Sequence, residues 1–250
     1  EEFHFRFGGM DVDIHGIGRQ GQMQHAGGEF AHHDLIPVGF FQGGDQQPGL
    51  DRTIVDEKGL RQFREVVLIV ARKNGKSLFA SAVARYMWKQ DGFGARVYTI
   101  APKLEQAEII YGNVWTMTTL DPDYIALKAK TEEKDYHNKK INDDSELERR
   151  RQSDLFIPAN NSTVKKIAFS AKKSDGFNPS LCICDEIASW EGDKGLKQYE
   201  VMKSGMGARP EGLLLSASTS GYVNDSIYDE ILKRSTRFLL GDSKEKRLLP

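Results

Sequence analysis

The feature that most constrains this sequence is a change of pattern between residues 66 and 90. Val66-Val67-Leu68-Ile69-Val70 is an unbroken, mostly β-branched apolar run. A run without polar alternation predicts a strand covered on both faces, as in a parallel sheet. It passes through Ala71-Arg72-Lys73-Asn74-Gly75-Lys76-Ser77 into Leu78 to Gln90, a stretch of helix-forming residues. A tight turn ending in Gly-Lys-Ser at a helix N-terminus offers unpaired backbone N–H groups to phosphate oxygens. Gly75 lets the backbone come close, Lys76 would reach the β- and γ-phosphates, and Ser77 would hold Mg2+. The complete G-x-x-x-x-G-K-[ST] pattern is not met, because Val70 stands where the first glycine belongs. On this motif alone, a helix that starts after an ordinary turn fits the residues as well.

The alternation continues along the chain. Ala95–Ala101 predicts a second strand and Leu104–Met117 a second helix, followed by a highly charged stretch over 121–153 expected as a helical excursion on the surface. Further strands are expected at Val164–Phe169, Leu181–Cys184 and Leu213–Ser216, with helices near Lys197–Lys203 and Ser226–Lys233. Strands alternating with helices give an α/β fold of the P-loop NTPase type, with a mostly parallel, doubly wound sheet flanked by helices.

Two strand ends add chemistry to the first. Leu181-Cys182-Ile183-Cys184 runs into Asp185-Glu186, so an apolar strand delivers two carboxylates to the edge of the sheet. In a P-loop ATPase the first coordinates Mg2+ and the second polarises the attacking water. Taken singly, the pair is also an ordinary loop start with two solvated charges; joined to a phosphate loop earlier in a βα-alternating chain, the catalytic reading gains weight. Leu213-Leu214-Leu215 ends in Ser216-Ala217-Ser218-Thr219-Ser220-Gly221, which sets hydroxyls beside the same edge. Hydroxyl-rich strand ends are common turn chemistry, and only as the third member of the set do they fit a γ-phosphate sensor.

Composition matters chiefly at the N-terminus. Residues 1–50 hold 11 of the 24 glycines and 5 of the 6 histidines, no lysine, and a charge of −5 against +4 for the remainder. No sustained apolar period is expected there; residues 1–57 read as a poorly specified segment, with disorder and a non-native origin both open, and 58–250 as the P-loop ATPase domain. His25, His32, His33 and Asp34 offer metal-ligating side chains without a defined spacing. Cys182 and Cys184 read as buried thiols on one strand face, which suits a reducing cytoplasm. No apolar run approaches the roughly 18 residues of a membrane span, and the first residues lack the pattern of a secretory signal. Lys165, Lys166, Lys172 and Lys173 could meet DNA phosphates, though a solvated surface loop is the favoured reading for any one of them.

These residues resemble a known family. Ala71-Arg72-Lys73-Asn74-Gly75-Lys76-Ser77 is similar to the variant Walker A of large terminase subunits of tailed bacteriophages, which commonly lacks the first glycine and carries an early basic residue. Ser174-Asp175-Gly176-Phe177-Asn178-Pro179-Ser180 leading into Asp185-Glu186, then Trp190, then Lys203-Ser204-Gly205-Met206-Gly207-Ala208-Arg209, resemble the same family in the same order. Ser218-Thr219-Ser220-Gly221-Tyr222 resembles its coupling motif, and the likeness spans roughly residues 58–250.

The resemblance implies an ATP-hydrolysing, Mg2+-dependent motor that drives double-stranded viral DNA into a procapsid. It implies a homo-oligomer, a pentamer on the portal protein, working with the small terminase subunit in the bacterial host cytoplasm and transiently on the procapsid, with no membrane. Arg72, Lys73, Asn74, Gly75, Lys76, Ser77, Ser218 and Thr219 are then expected to bind nucleotide, Arg72 contacting the γ-phosphate region. Ser77 and Asp185 are expected to hold Mg2+, Glu186 to act as the catalytic carboxylate with Arg72 and Lys76 beside it, and Ser218 with Thr219 to couple hydrolysis to movement. The aromatic-Pro-Trp-Gln adenine motif that usually precedes the loop is missing, so the resemblance assigns no adenine contact. No nuclease is expected: Asp225, Asp229, Glu230, Asp242 and Glu245 read as a helix surface and a solvated tail after Gly241. Two other readings fit the residues, another P-loop nucleic-acid translocase and an inactive truncated prophage fragment. The ordered motifs from Ser174 to Tyr222 favour the terminase over the first, and ATP turnover separates the second.

Overall fold

A computed structural model describes residues 2–7, 10–15, 60–137, 147–168, 177–221 and 226–250. The histidine-rich tract from His25 to Asp34, Lys172, Lys173, Ser174–Gly176, Tyr222 and Asp225 lie outside the described residues.

In chain order the strands are β1 (Glu2–Phe7), β2 (Met10–His15), β3 (Glu65–Ile69), β4 (Arg96–Ala101), β5 (Arg149–Arg150), β6 (Leu155–Ile157), β7 (Ser162–Ala168), β8 (Leu181–Asp185), β9 (Leu213–Ser218) and β10 (Leu248–Leu249). The helices are α1 (Lys76–Gln90), α2 (Leu104–Thr119), α3 (Pro122–His137), α4 (Gly192–Gly205) and α5 (Ile227–Leu239). Eight strands form one sheet in the order β10-β3-β9-β8-β4-β7-β6-β5. From β10 to β7 every pairing is parallel, and β6 and β5 complete one side as antiparallel edge strands.

Burial on both sides explains why these strands read as continuous apolar runs. In β8, Leu181 and Ile183 join a core built with Ala80, Val83 and Trp88 of α1 and Ile110 and Tyr111 of α2. Cys182 and Cys184 point the other way, into a core with Tyr199 and Met202 of α4 and Ile227 and Ile231 of α5. The two sulfurs are 3.8 Å apart and both thiols are free. Each fully buried Leu or Ile contributes about 1.5–3 kcal/mol of transfer free energy, so β8 alone draws several kcal/mol from both layers. No helix among the described residues is long and apolar enough to cross a membrane.

Four expectations need correction. Among the described residues of the charged stretch, Pro122–His137 is helical, but Arg149-Arg150 belong to β5, and β6 follows it. Edge strands of two and three residues carry too little periodicity to announce themselves, and their register comes from the β6–β7 turn, where Asn161 takes φ 54° and Ser162 N–H donates to Asn160 Oδ1 at 3.1 Å. The tail after Gly241 is not wholly solvated, because β10 pairs in parallel with the start of β3. Asp229 is not on a helix surface: it is buried and accepts the Ser226 N–H at 2.9 Å in a capping box that starts α5. Finally, β1 and β2 pair antiparallel with Phe3 opposite Ile14 and Phe5 opposite Val12. The alternation of Phe3, Phe5 and Phe7, then Val12 and Ile14, around Gly8-Gly9 is a period-2 hairpin signal where none was expected.

Candidate active site

Because β3, β9 and β8 are parallel neighbours, their C-terminal ends open on one edge of the sheet. Ile69 is level with Ser218, and Asp185 with Ala217. Val70 N–H donates to the Ser218 carbonyl at 3.1 Å, tying the phosphate-loop strand to the hydroxyl strand at the point where both leave the sheet. Three loops therefore converge: 70–75, 186–190 and 219–221. Between them and the first turns of α1 and α2 lies a cleft of about 710 Å³.

The loop before α1 is shaped by two left-handed residues, Lys73 at φ 68° and Gly75 at φ 72°. A left-handed glycine immediately before a helix turns the chain without a Cβ clash. The helix that follows has no side-chain cap and no acidic residue in its first turn, so its first N–H groups and its positive dipole end are left for another partner. Arg72 and Lys73 are exposed, and neither makes a hydrogen bond or ion pair among the described residues. Arg72, Lys73, Gly75, Lys76, Ser77, Asp185, Glu186 and Thr219 all line the cleft. Asn74 and Ser218 do not.

The charged centre is compact. Lys76 Nζ lies 2.5 Å from Glu186 Oε2 and 3.4 Å from Asp185 Oδ1, bringing together residues 110 positions apart. Glu186 Oε1 accepts the Thr219 hydroxyl at 2.6 Å and the Thr219 N–H at 3.2 Å. Glu186 itself is left-handed, at φ 53° and ψ 51°, which for a non-glycine residue costs about 1–2 kcal/mol. Its carbonyl is held by Ser189 N–H at 2.8 Å and Ser189 Oγ–H at 2.7 Å, and its own N–H donates to Asp185 Oδ1 at 3.0 Å. That strained backbone turns the carboxylate towards Lys76.

Ser218 does structural work beneath the cleft. It is fully buried, accepts the Ala188 N–H at 3.0 Å and donates to the Thr219 carbonyl at 2.8 Å. Trp190 Nε1–H donates to the Asp185 carbonyl at 2.9 Å. Gly221 is where these loops touch: a Cβ there would meet the Ala188 Cβ at 2.6 Å. Sequence patterns also give no sign of Gln106, Ile109, Ser189 or Glu191 in the cleft wall, because α2 and the 186–191 turn are brought in by the fold.

The two adjacent carboxylates are driven apart. Burial pushes Asp185 above the usual carboxylate range, with Lys76 opposing it only in part. Burial acts on Glu186 in the same direction, but hydrogen bonds from Lys76 and Thr219 outweigh it and hold Glu186 below its ordinary value. A buried carboxylate short of compensating charge, with the Ser77 hydroxyl on the same cleft, is a hard-oxygen donor set that fits Mg2+, which takes one or two carboxylates and completes its shell with phosphate oxygens and water. Lys165 and Lys166 lie in β7 rather than in a loop; Lys166 pairs with Glu108 above the Tyr111 ring, and Lys165 is 4.0 Å from Asp154.

The crystal structure of the HK97 bacteriophage large terminase superposes with a TM-score of 0.55 at 19% identity, covering 87% of this chain and 41% of that one. The chain thus spans about two fifths of the length of that terminase. The Thermus phage P74-26 large terminase ATPase domain gives a TM-score of 0.42 at 20% identity over 64% of this chain and 61% of that one. An Arg-to-Ala variant of the same domain gives 0.45 at 21% over 69% and 65%. Among curated proteins none matches. A family model for the terminase large subunit, ATPase domain, matches residues 56–237, which takes in the phosphate loop, both carboxylates and the hydroxyl strand. The chain belongs to the terminase large subunit ATPase-domain family, a family of ATP-hydrolysing enzymes.

Proposed function

We propose that this chain is the motor of a viral DNA-packaging machine, converting ATP hydrolysis into movement of double-stranded DNA into a procapsid. The observation that carries the reading is the contact of Lys76 with both Asp185 and Glu186 at the edge of a parallel sheet, beneath an uncapped helix N-terminus. Triphosphate entering the cleft meets the N–H groups of α1 and competes for Lys76, whose present partners are two carboxylates. Arg72 and Lys73, exposed on the rim, add positive charge to the γ-phosphate end. Ser77 and Asp185 would hold Mg2+, which supplies charge neutralisation on the phosphates when bound. Glu186, freed from Lys76 and kept ionised by Thr219, accepts the proton of the attacking water. Ser218 and Thr219 sit where that carboxylate meets the end of β9, so a change at Glu186 is passed to the strand and loop beyond it.

The partners in this reading are double-stranded viral DNA, the portal protein, the small terminase subunit and further copies of the chain, a pentamer on the portal, in the host cytoplasm. The family match supports the motor over another P-loop translocase. The test is ATP turnover of the purified chain with and without linear duplex DNA. Hydrolysis that duplex DNA stimulates and Lys76→Ala removes supports the motor. Turnover indifferent to duplex DNA speaks against the packaging role, and none at all against activity in this chain.

A further inference from the structure

A second cleft, of about 410 Å³, opens at the other edge of the sheet, where β3 begins and β10 pairs with it. Arg64, Lys203, Arg234, Lys246 and Arg247 line it against only two carboxylates, Glu65 and Glu245. Both carboxylates are committed: Glu65 accepts from Lys203 and Arg234, and Glu245 accepts from Arg234 as well. Arg64, Lys246 and Arg247 are left without an acid. Arg64 gives Nε–H and Nη2–H to the Gly212, Met206 and Arg209 carbonyls, which are neutral, and its Nη1 makes no hydrogen bond among the described residues. Lys246 and Arg247 are exposed, and their side chains make no hydrogen bond or ion pair among the described residues. The whole chain carries −1, so this positive excess is local.

Solvated surface cations ordinarily spread apart, and these are held together. The Arg64 and Glu65 N–H groups both donate to the Arg247 carbonyl, at 2.9 and 3.1 Å, so the start of β10 pins Arg247 beside Arg64. Burial, and then the Arg247 charge, push Arg64 below the ordinary arginine value. Met206, Leu214 and Leu248, all buried, give the cleft an apolar floor. A cleft of one charge sign over a low-dielectric wall focuses its field on an incoming counter-charge. Guanidinium forks match phosphate oxygens, and an ammonium adds a point charge beside them. We propose that this cleft binds phosphate groups through Arg64, Lys246 and Arg247, while Lys203 and Arg234 stay with Glu65. The duplex DNA backbone is the source that suits the exposed rim, since a polymer crossing the cleft reaches Lys246 and Arg247 without entering it. That choice of source rests on the motor reading, and a free polyphosphate carries the same chemistry. Phosphate held here leaves the ATP cleft open, so both can be filled at once.

The test uses the full chain and a fluorescein-labelled duplex, read by anisotropy across a salt series. Lys246→Gln combined with Arg247→Gln removes the two exposed charges and keeps the backbone bonds of β10. Duplex Kd should rise roughly 10- to 100-fold. The slope of log K against log salt should become shallower by about 2, close to one for each lost contact. The thermal midpoint should hold or rise, because like charges have been removed. Lys194→Gln combined with Lys197→Gln takes the same charge from exposed positions on α4 and should change Kd less than about threefold. Calorimetry with inorganic pyrophosphate, in Lys76→Ala so that the ATP cleft has lost its phosphate cation, fixes the source. Duplex binding that depends on Lys246 and Arg247, without pyrophosphate binding, assigns the cleft to the DNA backbone. Pyrophosphate binding that depends on them, with duplex binding unchanged, assigns it to a free phosphate ligand. If neither probe responds to Lys246 and Arg247, or the α4 variant weakens duplex binding as much, the site is overturned. A chain that binds duplex here yet hydrolyses no ATP overturns the motor reading and leaves this site standing.

Discussion

The two ends of the parallel sheet use similar chemistry to opposite purposes. At the start of β3, Glu65 is buried and accepts Tyr199 Oη–H at 2.5 Å, Lys203 Nζ–H at 2.8 Å and two Arg234 N–H groups at 2.7 and 3.0 Å. At the opposite edge of the sheet, just past the end of β8, Glu186 meets the same kinds of partner, a hydroxyl from Thr219 and a cation from Lys76. Each end borders a cleft, about 410 Å³ beside Glu65 and about 710 Å³ beside Glu186. The difference is in how the carboxylate is committed. Glu65 is 8% exposed, and its donors come from α4 and α5, so β3 is bolted to the layer behind it. Glu186 is 29% exposed, and its cation stands on the phosphate loop with an alternative partner in prospect. An ion cluster becomes a brace when every donor belongs to the scaffold. It becomes a working site when one donor can be drawn away by a ligand.

The comparison predicts that substitutions at the two ends separate activity from stability. The largest effect should come from Lys76→Ala, which removes a preorganised charge from the phosphates and should lower ATP turnover roughly a thousandfold. Its thermal midpoint should move little, because the pair it breaks faces the cleft. Glu65→Gln should do the reverse. Breaking a buried, multiply bonded pair costs about 3 kcal/mol or more, which for a chain of this size lowers the midpoint by roughly 6–12 °C. Turnover per folded molecule should stay within a few-fold.

Glu65 also gives a pH signature. The Tyr199, Lys203 and Arg234 hydrogen bonds overcome the opposing effect of burial and hold its carboxyl at about 2, against an ordinary value of 4.5. A depressed folded value means the stabilisation is complete above the unfolded value and is lost as pH falls through the folded one. Denaturant midpoints of the parent and Glu65→Gln should therefore differ most above pH 4.5 and converge as pH approaches 2. A difference that does not narrow there would show that Glu65 acts by shape rather than charge.

Smaller effects belong to single contacts at the working end. Asp185→Asn should raise the Mg2+ concentration needed for nucleotide binding about tenfold or more, read by titrating the metal at fixed ATP analogue. Thr219→Val removes one hydroxyl bond to Glu186, worth about 0.5–1.5 kcal/mol, so turnover should fall at most about tenfold. If Thr219→Val instead matches the loss in Lys76→Ala, Thr219 does more than hold Glu186.

The working end was legible in the sequence and the brace was not, for a physical reason. A phosphate loop needs a buried strand, a permissive glycine and a helix start within about a dozen residues, so 66–77 carry their own signature, and Leu181–Glu186 carries another. Glu65 is bound by residues 134, 138 and 169 positions away, each an ordinary surface residue type in its own segment. Only the sheet order brings them together. The same holds for Gln106, one polar residue among several on α2 until the fold brings it to the cleft wall, and for Ser218, whose spacing suggested a phosphate contact while its buried bonds to Ala188 and Thr219 serve the loops. The edge strands β5, β6 and β10 escaped because two or three residues hold no period.

The central claim is that the carboxylate at the working end does chemistry rather than bracing, and Glu186→Gln tests it most directly. The substitution keeps the shape and the ability to accept from Thr219, and removes the charge that takes the proton. In one preparation, binding of N-methylanthraniloyl ATP and single-turnover phosphate release should be measured side by side. The account predicts binding within a few-fold of the parent and phosphate release slowed by about 10²- to 10⁴-fold. Phosphate release at the parent rate, or a loss of release no greater than the loss of binding, would contradict it.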